Sequence, residues 1–326
     1  MKILFIGGTG VISHSCSQLC IEKGYDLFLL TRGKSFRSTP PGANIINGDI
    51  NDVDSIKELI SAHKFDAVVD WIAFTQKNVE RDLELFRDKT EQYIFISSAS
   101  AYSPKRKIPI TEDTPLENPY WAYSRAKIEC ENYLNDKLER EYFPVTIVRP
   151  SHTYDKTKTP LRADYLPFHR MKNNKQIIIH DDGSGLWTLT HTKDFAKGFV
   201  GLLGNKKTIG EKYHITSDEV LTWNKIAEIL ASKAGYELNI AQIPSGFIAK
   251  YDDEWGAGLL GDKANDAVFD NSKIKSVVPD YEAIISFEKG AEEIVEWYSD
   301  SQNQIINCDI DNFMDKIISE YSSVKS

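Results

Sequence analysis

The first half of the chain alternates short apolar runs with segments whose apolar residues recur at helical spacing. The apolar runs predict buried strands at residues 2–6, 27–30, 44–47, 67–70, 93–97 and 145–148. Helical patterns occupy residues 11–22, 53–60, 78–87 and 120–140, and Asp52 is placed to cap the second helix. Strands that are apolar on both faces and alternate with helices predict an α/β fold with a parallel sheet covered on both sides.

This alternation breaks near Pro150. Pro160, Pro167 and a turn at residues 182–185 interrupt the pattern, and strand and helix signals become scattered. We therefore expect a sheet-forming domain, residues 1–150, and a smaller lobe, residues 151–326, from which some segments return to the sheet. The tail from about residue 302 has a helical pattern.

Composition and charge exclude several functional classes. The formal net charge is −9, which gives no general electrostatic support for a nucleic-acid partner. No apolar run approaches the roughly 20 residues that cross a bilayer, and no basic segment with a cleavage site precedes the first strand. The four cysteines show no metal-binding spacing with histidine. We expect a cytoplasmic protein with reduced thiols, no metal and no membrane partner.

A glycine-rich loop joins the first predicted strand to the first predicted helix. Gly7 permits a tight turn, Gly10 lets the backbone approach a pyrophosphate, and Ser13 still allows close packing of helix on strand. The N-terminus of the helix supplies unpaired N–H groups and a positive dipole. The pattern predicts that residues 1–150 form an NAD(P)-binding domain of the Rossmann type. The cofactor would contact the loop residues Gly7, Thr9, Gly10, Val11 and Ile12.

The end of the second predicted strand bears on the choice of dinucleotide. NAD sites usually carry an acidic residue there, which hydrogen-bonds the 2′-hydroxyl of the ribose. This chain has Thr31 and Arg32, and Asp26 lies too early in the strand to reach the sugar. A cation at this position would bind a 2′-phosphate, so Arg32 favours NADP over NAD. The alternative is an NAD enzyme in which Arg32 stacks on the adenine.

A Tyr-x-x-x-Lys spacing places a phenol and an ammonium on one face of a helix. The ammonium stabilises the phenolate and lowers the pKa of the tyrosine, which can then act as a general acid/base. The spacing occurs at Tyr123/Lys127, Tyr133/Lys137, Tyr154/Lys158 and Tyr321/Lys325. The first pair lies near the start of a helix that follows the fifth predicted strand, whereas the others lie farther along that helix, in a loop or in the tail. The predicted catalytic pair is therefore Tyr123 and Lys127.

These motifs, together with several others, resemble the extended short-chain dehydrogenases, also called NAD-dependent epimerase/dehydratases. The resembling segments run in order along nearly the whole chain: the loop 7–13, Gly48-Asp49, residues 95–102 (FISSASAY), 111–115 (TEDTP), 123–127 (YSRAK), Arg149-Pro150 and 269–273 (FDNSK). The resemblance implies a Rossmann-type doubly wound parallel sheet with a smaller C-terminal substrate-binding lobe. It is also compatible with a homodimer.

The same resemblance implies roles for individual residues. Ser98 would hydrogen-bond the reacting oxygen, Tyr123 would act as the acid/base, and Lys127 would bridge the nicotinamide ribose. The further residues implied beside the cofactor are Asp49 and Ile50, at the adenine, and Ala73 and Pro150.

Two positions depart from relatives that use nucleotide-sugars. His152 stands where those relatives have a substrate-side asparagine, and Trp187 stands where an arginine clamps the substrate diphosphate. Because a bidentate guanidinium is a strong anion contact, its loss predicts a neutral or lightly charged polyol or glycoside rather than a UDP-sugar. Candidates for substrate contact are His152, Trp187 and His191, with core packing as the alternative for each. Ala99 and Ser100 replace the Asp-Glu pair of sugar 4,6-dehydratases, so water elimination is not expected.

The sequence thus predicts an NAD(P)-dependent epimerase or dehydrogenase that acts on a sugar or sugar-like hydroxyl through a transient ketone. Its expected partner is a small-molecule substrate. The alternative is a catalytically weak, cofactor-binding regulatory or RNA-associated protein, because a plastid stem-loop-binding branch of the superfamily has a comparable Gly-Gly-Thr start. The complete set of Ser98, Tyr123 and Lys127 and the acidic net charge argue against that alternative.

Overall fold

The structure, a computed structural model, describes residues 1–325. Its strands are β1 (Lys2–Ile6), β2 (Asp26–Thr31), β3 (Asn44–Asn47), β4 (Ala67–Asp70), β5 (Tyr93–Ile96), β6 (Val145–Pro150), β7 (His152–Tyr154), β8 (Ile177–His180), β9 (Leu186–Trp187), β10 (Leu189–His191), β11 (Lys212–Ile215), β12 (Leu221–Thr222) and β13 (Ile240–Ile243). Its α-helices are α1 (Val11–Glu22), α2 (Val53–Leu59), α3 (Gln76–Phe86), α4 (Ala122–Glu141), α5 (Leu166–Lys172), α6 (Thr192–Val200), α7 (Trp223–Ala234), α8 (Ser245–Ile248), α9 (Asp253–Gly258), α10 (Ser272–Val277), α11 (Phe287–Ser299) and α12 (Cys308–Lys325). Short 3₁₀ turns occur at Ala99–Ala101, Lys206–Thr208 and Ser301–Asn303, and a π-helix occurs at Leu259–Lys263.

Seven parallel strands form the central sheet, in the order β11-β6-β5-β4-β1-β2-β3. Helices α1, α2, α3 and α4 lie in the connections that lead to β2, β4, β5 and β6. The chain order reverses between β1 and β4, which pair with Ile3 opposite Ala67. Connections on the two sides of such a reversal diverge and leave a crevice at the carboxyl ends of the strands. The predicted α/β fold with a Rossmann-type doubly wound sheet is confirmed.

Both faces of the sheet are covered, as the continuous apolar runs predicted. Ile3 and Phe5 of β1 belong to a core that includes residues of α1 and α6. Leu4 and Ile6 belong to a second core, which includes residues of α2, α3 and α4. All four side chains are fully buried. Successive strand residues point to opposite faces, so a strand buried on both sides needs an apolar residue at every position.

Asp52 and Asn118 set the starts of two helices that border the sheet. Asp52 accepts a hydrogen bond from the backbone N–H of Ser55 at 3.3 Å, so the predicted cap of α2 is confirmed. The long helix α4 begins at Ala122, two residues later than predicted. Asn118 accepts backbone N–H groups from Tyr120 and Trp121, at 3.2 and 2.9 Å, and so holds the chain in a turn before the helix.

Residues beyond 150 supply most of a further core, which also includes Ala99, Tyr102 and Ile110, and they return one strand to the sheet. β11 pairs in parallel with β6, with Tyr213 opposite Val148. The remaining strands make three two-stranded sheets, β7-β10, β9-β12 and β8-β13. Tyr165, Trp187 and Phe287 belong to the core cluster of this part.

Candidate active site

Two adjoining cavities lie at the carboxyl ends of the sheet strands, where the strand order reverses. The first, of about 420 Å³, extends from the glycine loop to Arg32 and Asp49, and we call it the loop cavity. The second, of about 310 Å³, extends from the same loop to Tyr123, and we call it the tyrosine cavity. Both are lined by Gly7, Gly10 and Ile72. The two cavities therefore form one crevice across the switch point of the sheet.

The glycine loop is shaped by its backbone. Gly7 has a φ of +83°, and a Cβ at this position would lie 2.7 Å from Cγ2 of Ile72, so only glycine fits. Ser13 Oγ donates to the carbonyl of Gly7 at 2.9 Å and accepts the N–H of Gly10 at 2.8 Å. Gly10 is the N-cap of α1, so the positive end of this helix faces the crevice. The other predicted loop residues also line it: Thr9, Val11 and Ile12.

Arg32 and Asp49 form an ion pair in the wall of the loop cavity. Their side chains are 59% and 42% exposed, and a guanidinium nitrogen lies 3.6 Å from a carboxylate oxygen. The Asn51 backbone N–H and the Arg32 guanidinium lower the pKa of Asp49. Ile50 and Lys34 line the same cavity. The end of β2 therefore carries the cations Arg32 and Lys34, whereas NAD sites usually carry an acidic residue at this strand end.

Ser98, Tyr123 and Lys127 all line the tyrosine cavity. Ser98 lies two residues after the end of β5, and the other two residues lie one turn apart on α4. The Ser98 hydroxyl is close enough to the Tyr123 phenol to lower its pKa, and Nζ of Lys127 lies 5.8 Å from the centre of the tyrosine ring. The structure thus brings together the three residues that the sequence singled out.

Lys127 is buried and held by the backbone. Its Nζ donates to the carbonyl oxygens of Ala73 and Ile96, each at 2.7 Å. Because an ammonium has three N–H donors, one remains for a ligand in the cavity. Burial lowers the pKa of Lys127 to about 8. The Ala73 side chain is fully buried, and its backbone carbonyl oxygen is the group that contacts Lys127.

The pKa of Tyr123 lies above its usual value, whereas the Tyr-x-x-x-Lys spacing predicted a lowered one. Burial raises this pKa, the Ser98 hydroxyl opposes that shift, and the carboxylate of Asp262 adds to it. Ser98 Oγ lies 2.9 Å from Ser100 Oγ, which in turn accepts a hydrogen bond from Ser124 at 2.8 Å. Ser98 also accepts the Ser100 N–H, so the hydroxyl caps a turn as well as contacting the phenol. A phenol held this way beside an ammonium can exchange a proton with a bound hydroxyl.

The crevice fits an extended dinucleotide. At its centre the backbone of Gly7 leaves no room for a side chain, and the N-terminus of α1 favours a pyrophosphate. Arg32 and Asp49 lie at one end, and the free donor of Lys127 lies at the other. Pro150 completes the wall of the tyrosine cavity. These residues could hold the nicotinamide end beside Tyr123.

A third cavity, of about 380 Å³, lies next to the start of α4, and we call it the tryptophan cavity. It is lined by Trp121, Trp223 and Trp255, and the rings of Trp121 and Tyr123 are 5.0 Å apart. His152 also lines it and accepts a hydrogen bond from the indole N–H of the buried Trp187 at 3.0 Å. That bond to Nδ1 assigns the imidazole proton to Nε2.

The basic residues that line the tryptophan cavity lie beside carboxylates, and its residue His152 is neutral. Burial and Lys263 lower the pKa of His152 to about 3, so its ring is neutral at neutral pH. The lysines and arginine that line the cavity have carboxylate partners: Arg162 with Asp252 at 2.6 Å, Lys158 with Asp164 at 2.8 Å, and Lys263 with Asp262 at 4.0 Å. Within residues 1–325, this cavity therefore has no arginine or lysine in its lining without a carboxylate partner.

The other two substrate candidates lie elsewhere. Trp187 is 1% exposed and packs in the core, where its ring lies 5.0 Å from that of Trp223. His191 is buried as the N-cap of α6: its Nδ1 accepts the Lys193 N–H, and its Nε2 lies 3.3 Å from Glu293. Neither residue lines one of the three cavities. The core-packing alternative describes where the structure places both.

Sequence reasoning missed most of the tryptophan cavity. Trp121 could have been found from its position two residues before Tyr123. Trp223, Trp255 and Lys263 lie a hundred or more residues away in sequence, so no local pattern connects them with Tyr123. Lys34 was also missed, although it lies in the same loop as Arg32.

The described part of the chain contains neither a metal-binding cluster nor a membrane-spanning helix. No group of three or more histidine, cysteine, aspartate or glutamate side chains there could hold a metal ion. No helix there has both the length and the apolar character to span a membrane.

Comparison with known proteins places these features in a family. The model of the NAD dependent epimerase/dehydratase family matches residues 3–216. The chloroplast stem-loop binding protein of 41 kDa b from Arabidopsis thaliana is 30% identical over 248 residues, which cover 72% of this chain and 64% of the plant protein's length. The 2′-dehydrokanamycin reductase of Streptomyces kanamyceticus is 22% identical over 86% of this chain and 80% of its own length.

Solved structures agree on the fold. Pal from Bacillus thuringiensis has a TM-score of 0.74 at 20% identity, over 92% of this chain and 99% of that structure. The UDP-glucose 4-epimerase of Bifidobacterium longum, solved with NAD⁺ and UDP, has a TM-score of 0.73 at 18% identity, over 94% and 100%. The family model spans the glycine loop, the Ser98 strand end and the Tyr123 helix. The chain therefore belongs to the NAD-dependent epimerase/dehydratase family.

Proposed function

We propose that this protein is an NAD(P)-dependent epimerase or oxidoreductase that acts on a sugar or sugar-like hydroxyl through a transient ketone. The observation that carries the proposal is the meeting of Ser98, Tyr123 and Lys127 in one cavity that continues into the glycine-loop cavity. In this proposal residues 1–150 bind the cofactor, and residues 151–326 supply most of the substrate-binding lobe.

The chain's own groups would handle the substrate oxygen and its proton. Ser98 donates a hydrogen bond to that oxygen, and Tyr123 Oη accepts the hydroxyl proton as the ketone forms. Lys127, fixed by the Ala73 and Ile96 carbonyls, places its positive charge near the phenol and favours the phenolate. A nicotinamide dinucleotide, when bound, accepts or supplies the hydride. If the ketone rotates in the site and hydride returns to its opposite face, the product is the epimer. If the ketone is released, the enzyme is a dehydrogenase.

We propose NADP as the preferred cofactor. Arg32 and Lys34 supply two cations in the wall of the loop cavity, where a ribose 2′-phosphate would need them. The Arg32–Asp49 pair is exposed, so the guanidinium can turn to a phosphate without a large desolvation cost.

We propose a neutral or lightly charged glycoside or polyol as the substrate. A diphosphate in a buried cleft needs cations or N–H groups. Here Arg162 and Lys263 are only partly exposed and lie beside Asp252 and Asp262, and His152 is neutral, so the exposed Lys158 is the one lining cation that could turn to a diphosphate at little cost. The tryptophan cavity instead offers Trp121, Trp223 and Trp255, whose flat apolar rings suit the carbon face of a sugar. In this proposal these three residues make the substrate contact that the sequence suggested for Trp187.

The test is turnover by Tyr123→Phe. Purified protein would be incubated with NADP⁺ or NAD⁺ and a panel of glucose, galactose and their methyl glycosides, with reduced cofactor followed by absorbance and epimers followed by chromatography. Loss of the acid/base should lower turnover by about 10²-fold or more. Binding of the dinucleotide should survive, because the phenol is not its main contact.

Tyr133→Phe is the matched control, because Tyr133 lies on the same helix beside Lys137 but lines none of the three cavities. Full activity in Tyr123→Phe, or an equal loss in Tyr133→Phe, would contradict the proposal. Mass spectrometry of the dinucleotide that co-purifies would show whether NAD or NADP is retained.

RNA binding is the second candidate, on the Gly-Gly-Thr start of the glycine loop and on the plant relative's name, which says stem-loop binding. The net charge of −9 disfavours it here. Salt-dependent RNA binding at neutral pH, together with an inactive wild-type protein, would favour this candidate over the enzyme.

A further inference from the structure

Asn118 is a buried asparagine whose side chain connects three separate segments. It is 3% exposed. Its Nδ2 donates to the carbonyl oxygens of Ser100, at 2.8 Å, and Gly261, at 2.9 Å. Its Oδ1 accepts the backbone N–H groups of Tyr120, at 3.2 Å, and Trp121, at 2.9 Å. Both donors and the acceptor of the amide are therefore used.

Two of these connections lead to the groups that we assign to catalysis. Ser100, whose carbonyl Asn118 holds, places its own hydroxyl 2.9 Å from that of Ser98. Trp121, whose N–H Asn118 accepts, is the N-cap of α4, and Tyr123 lies in the first turn of that helix. One side chain thus fixes both the serine turn and the start of the tyrosine helix.

The third connection leads to the wall of the tryptophan cavity. Gly261 lies in the π-helix Leu259–Lys263, and both end residues of this helix line the cavity. The carbonyl of Lys263 accepts hydrogen bonds from His180 and Trp223, so the far end of the π-helix is also held. π-Helical turns are rare and occur frequently at functional sites.

The contact at Gly261 has no spare room. A Cβ on Gly261 would lie 2.7 Å from Oδ1 of Asn118 and 3.2 Å from Cβ of Trp121. The π-helix and the start of α4 therefore touch through the amide of Asn118, and movement of one segment displaces the other.

We propose that Asn118 is a positioning residue that keeps Ser98 and Tyr123 at a fixed place relative to the π-helical wall of the substrate cavity. The inference rests on the proposed function for the roles of Ser98 and Tyr123. Its physical reason is that proton transfer depends steeply on geometry, since a displacement of about 1 Å can cost 10²-fold in rate.

The charged groups that face Tyr123 come from two elements. Lys127 lies on its own helix, and Asp262 lies on the π-helix next to Gly261. The Ser98 hydroxyl stabilises the phenolate, whereas Asp262 destabilises it. If Asn118 is removed, both contacts loosen, and because the Ser98 hydroxyl has the larger of the two effects, the pKa of Tyr123 should rise.

The main experiment measures the phenol directly and needs no substrate. The protein would be labelled with 3-fluorotyrosine, and the Tyr123 signal would be assigned in ¹⁹F NMR spectra by its loss in Tyr123→Phe. In Asn118→Ala the midpoint of this signal should move to higher pH. Turnover of a sugar from the panel that the wild type uses should fall about 10- to 100-fold. In the pH–rate profile, the inflection that depends on Tyr123 should move to higher pH.

A matched control separates positioning from a general loss of packing. Asn271 is also 3% exposed, and both sides of its amide are likewise hydrogen-bonded, but to a single segment, through Thr216, Ser217 and Asp218. It lines none of the cavities. Asn271→Ala should lower the melting temperature comparably but leave the Tyr123 midpoint and the pH profile unchanged.

A second variant keeps the test open if Asn118→Ala does not fold. Gly261→Ala pushes a methyl group against the Asn118 amide and removes no hydrogen-bonding group, so it should shift the Tyr123 midpoint in the same direction. Gly246→Ala is its control, because nothing lies within 4 Å of a Cβ there. In Asn118→Ala/Gly261→Ala the effects on turnover should be less than additive, because both variants act on one contact.

The outcomes separate the two proposals. A midpoint shift in Asn118→Ala or Gly261→Ala, absent from both controls, supports the positioning role. Unchanged midpoints and turnover, or equal shifts in the controls, overturn it. Equal turnover by wild type and Tyr123→Phe would instead overturn the proposed function.

Discussion

Arg32→Ala tests whether the exposed cation in the loop cavity binds a 2′-phosphate. A hydrogen bond between charged groups contributes roughly 1–3 kcal/mol, and an arginine that is 59% exposed belongs near the lower end of that range. About 1.4 kcal/mol corresponds to tenfold in affinity, so NADPH should bind roughly 5- to 10-fold more weakly. The variant also leaves Asp49 without its partner at 3.6 Å, and that carboxylate would repel a phosphate. NADH has no 2′-phosphate, so its affinity should change by less than about twofold.

Fluorescence titration of the cofactor-free protein with NADPH and NADH measures both affinities. Arg140→Ala is the control, because Arg140 is an exposed arginine paired with Asp136 and lies in none of the cavities. In the wild type the preference for NADPH should shrink as salt is raised, since salt screens an exposed charge pair. Equal weakening of NADPH and NADH by Arg32→Ala would refute the reasoning and indicate that the guanidinium stacks on the adenine.

Three further predictions concern the substrate and stability. UDP-glucose should show no saturable micromolar binding by calorimetry, and a structure with its phosphates held by Arg162 would contradict this. The folded pKa of His152, about 3, lies below the unfolded value of 6.5, so its contribution to stability is complete above pH 6.5 and is lost by roughly 1.4 kcal/mol per pH unit as the pH falls toward 3. In His152→Gln the free energy of unfolding, measured with urea, should fall less steeply between pH 7 and 4.5 than in the wild type. An unchanged slope would show that His152 is not buried as a neutral ring. Glu131→Gln breaks a buried bidentate pair with Arg149, at 3.0 and 2.6 Å, and should cost about 3–5 kcal/mol in unfolding free energy. Glu228→Gln, in an exposed pair with Lys225, should cost under about 1 kcal/mol, and similar losses in both would contradict the argument.

The sequence by itself determined the sheet and the features at its strand ends. A strand buried on both faces must be apolar at every position, and a helix covering it must be apolar every three or four residues, so these elements can be recognised locally. The glycine loop and the Tyr123/Lys127 pair could be recognised for the same reason, since each lies within one turn or one helix. Their order along the chain then fixed which strand ends they occupy. Their chemical roles remain predictions for the experiments above.

Only the tertiary structure decided what surrounds the substrate cavity. Trp121, Trp223 and Trp255 come from segments far apart in sequence, and nothing local shows that they meet around one cavity. Trp187 was the tryptophan that the sequence motif indicated for substrate contact. Its ring is nevertheless buried, and its indole N–H donates to His152. Whether a side chain faces a cavity or a core depends on which distant residues pack against it, and those contacts form only when the lobe folds onto the sheet.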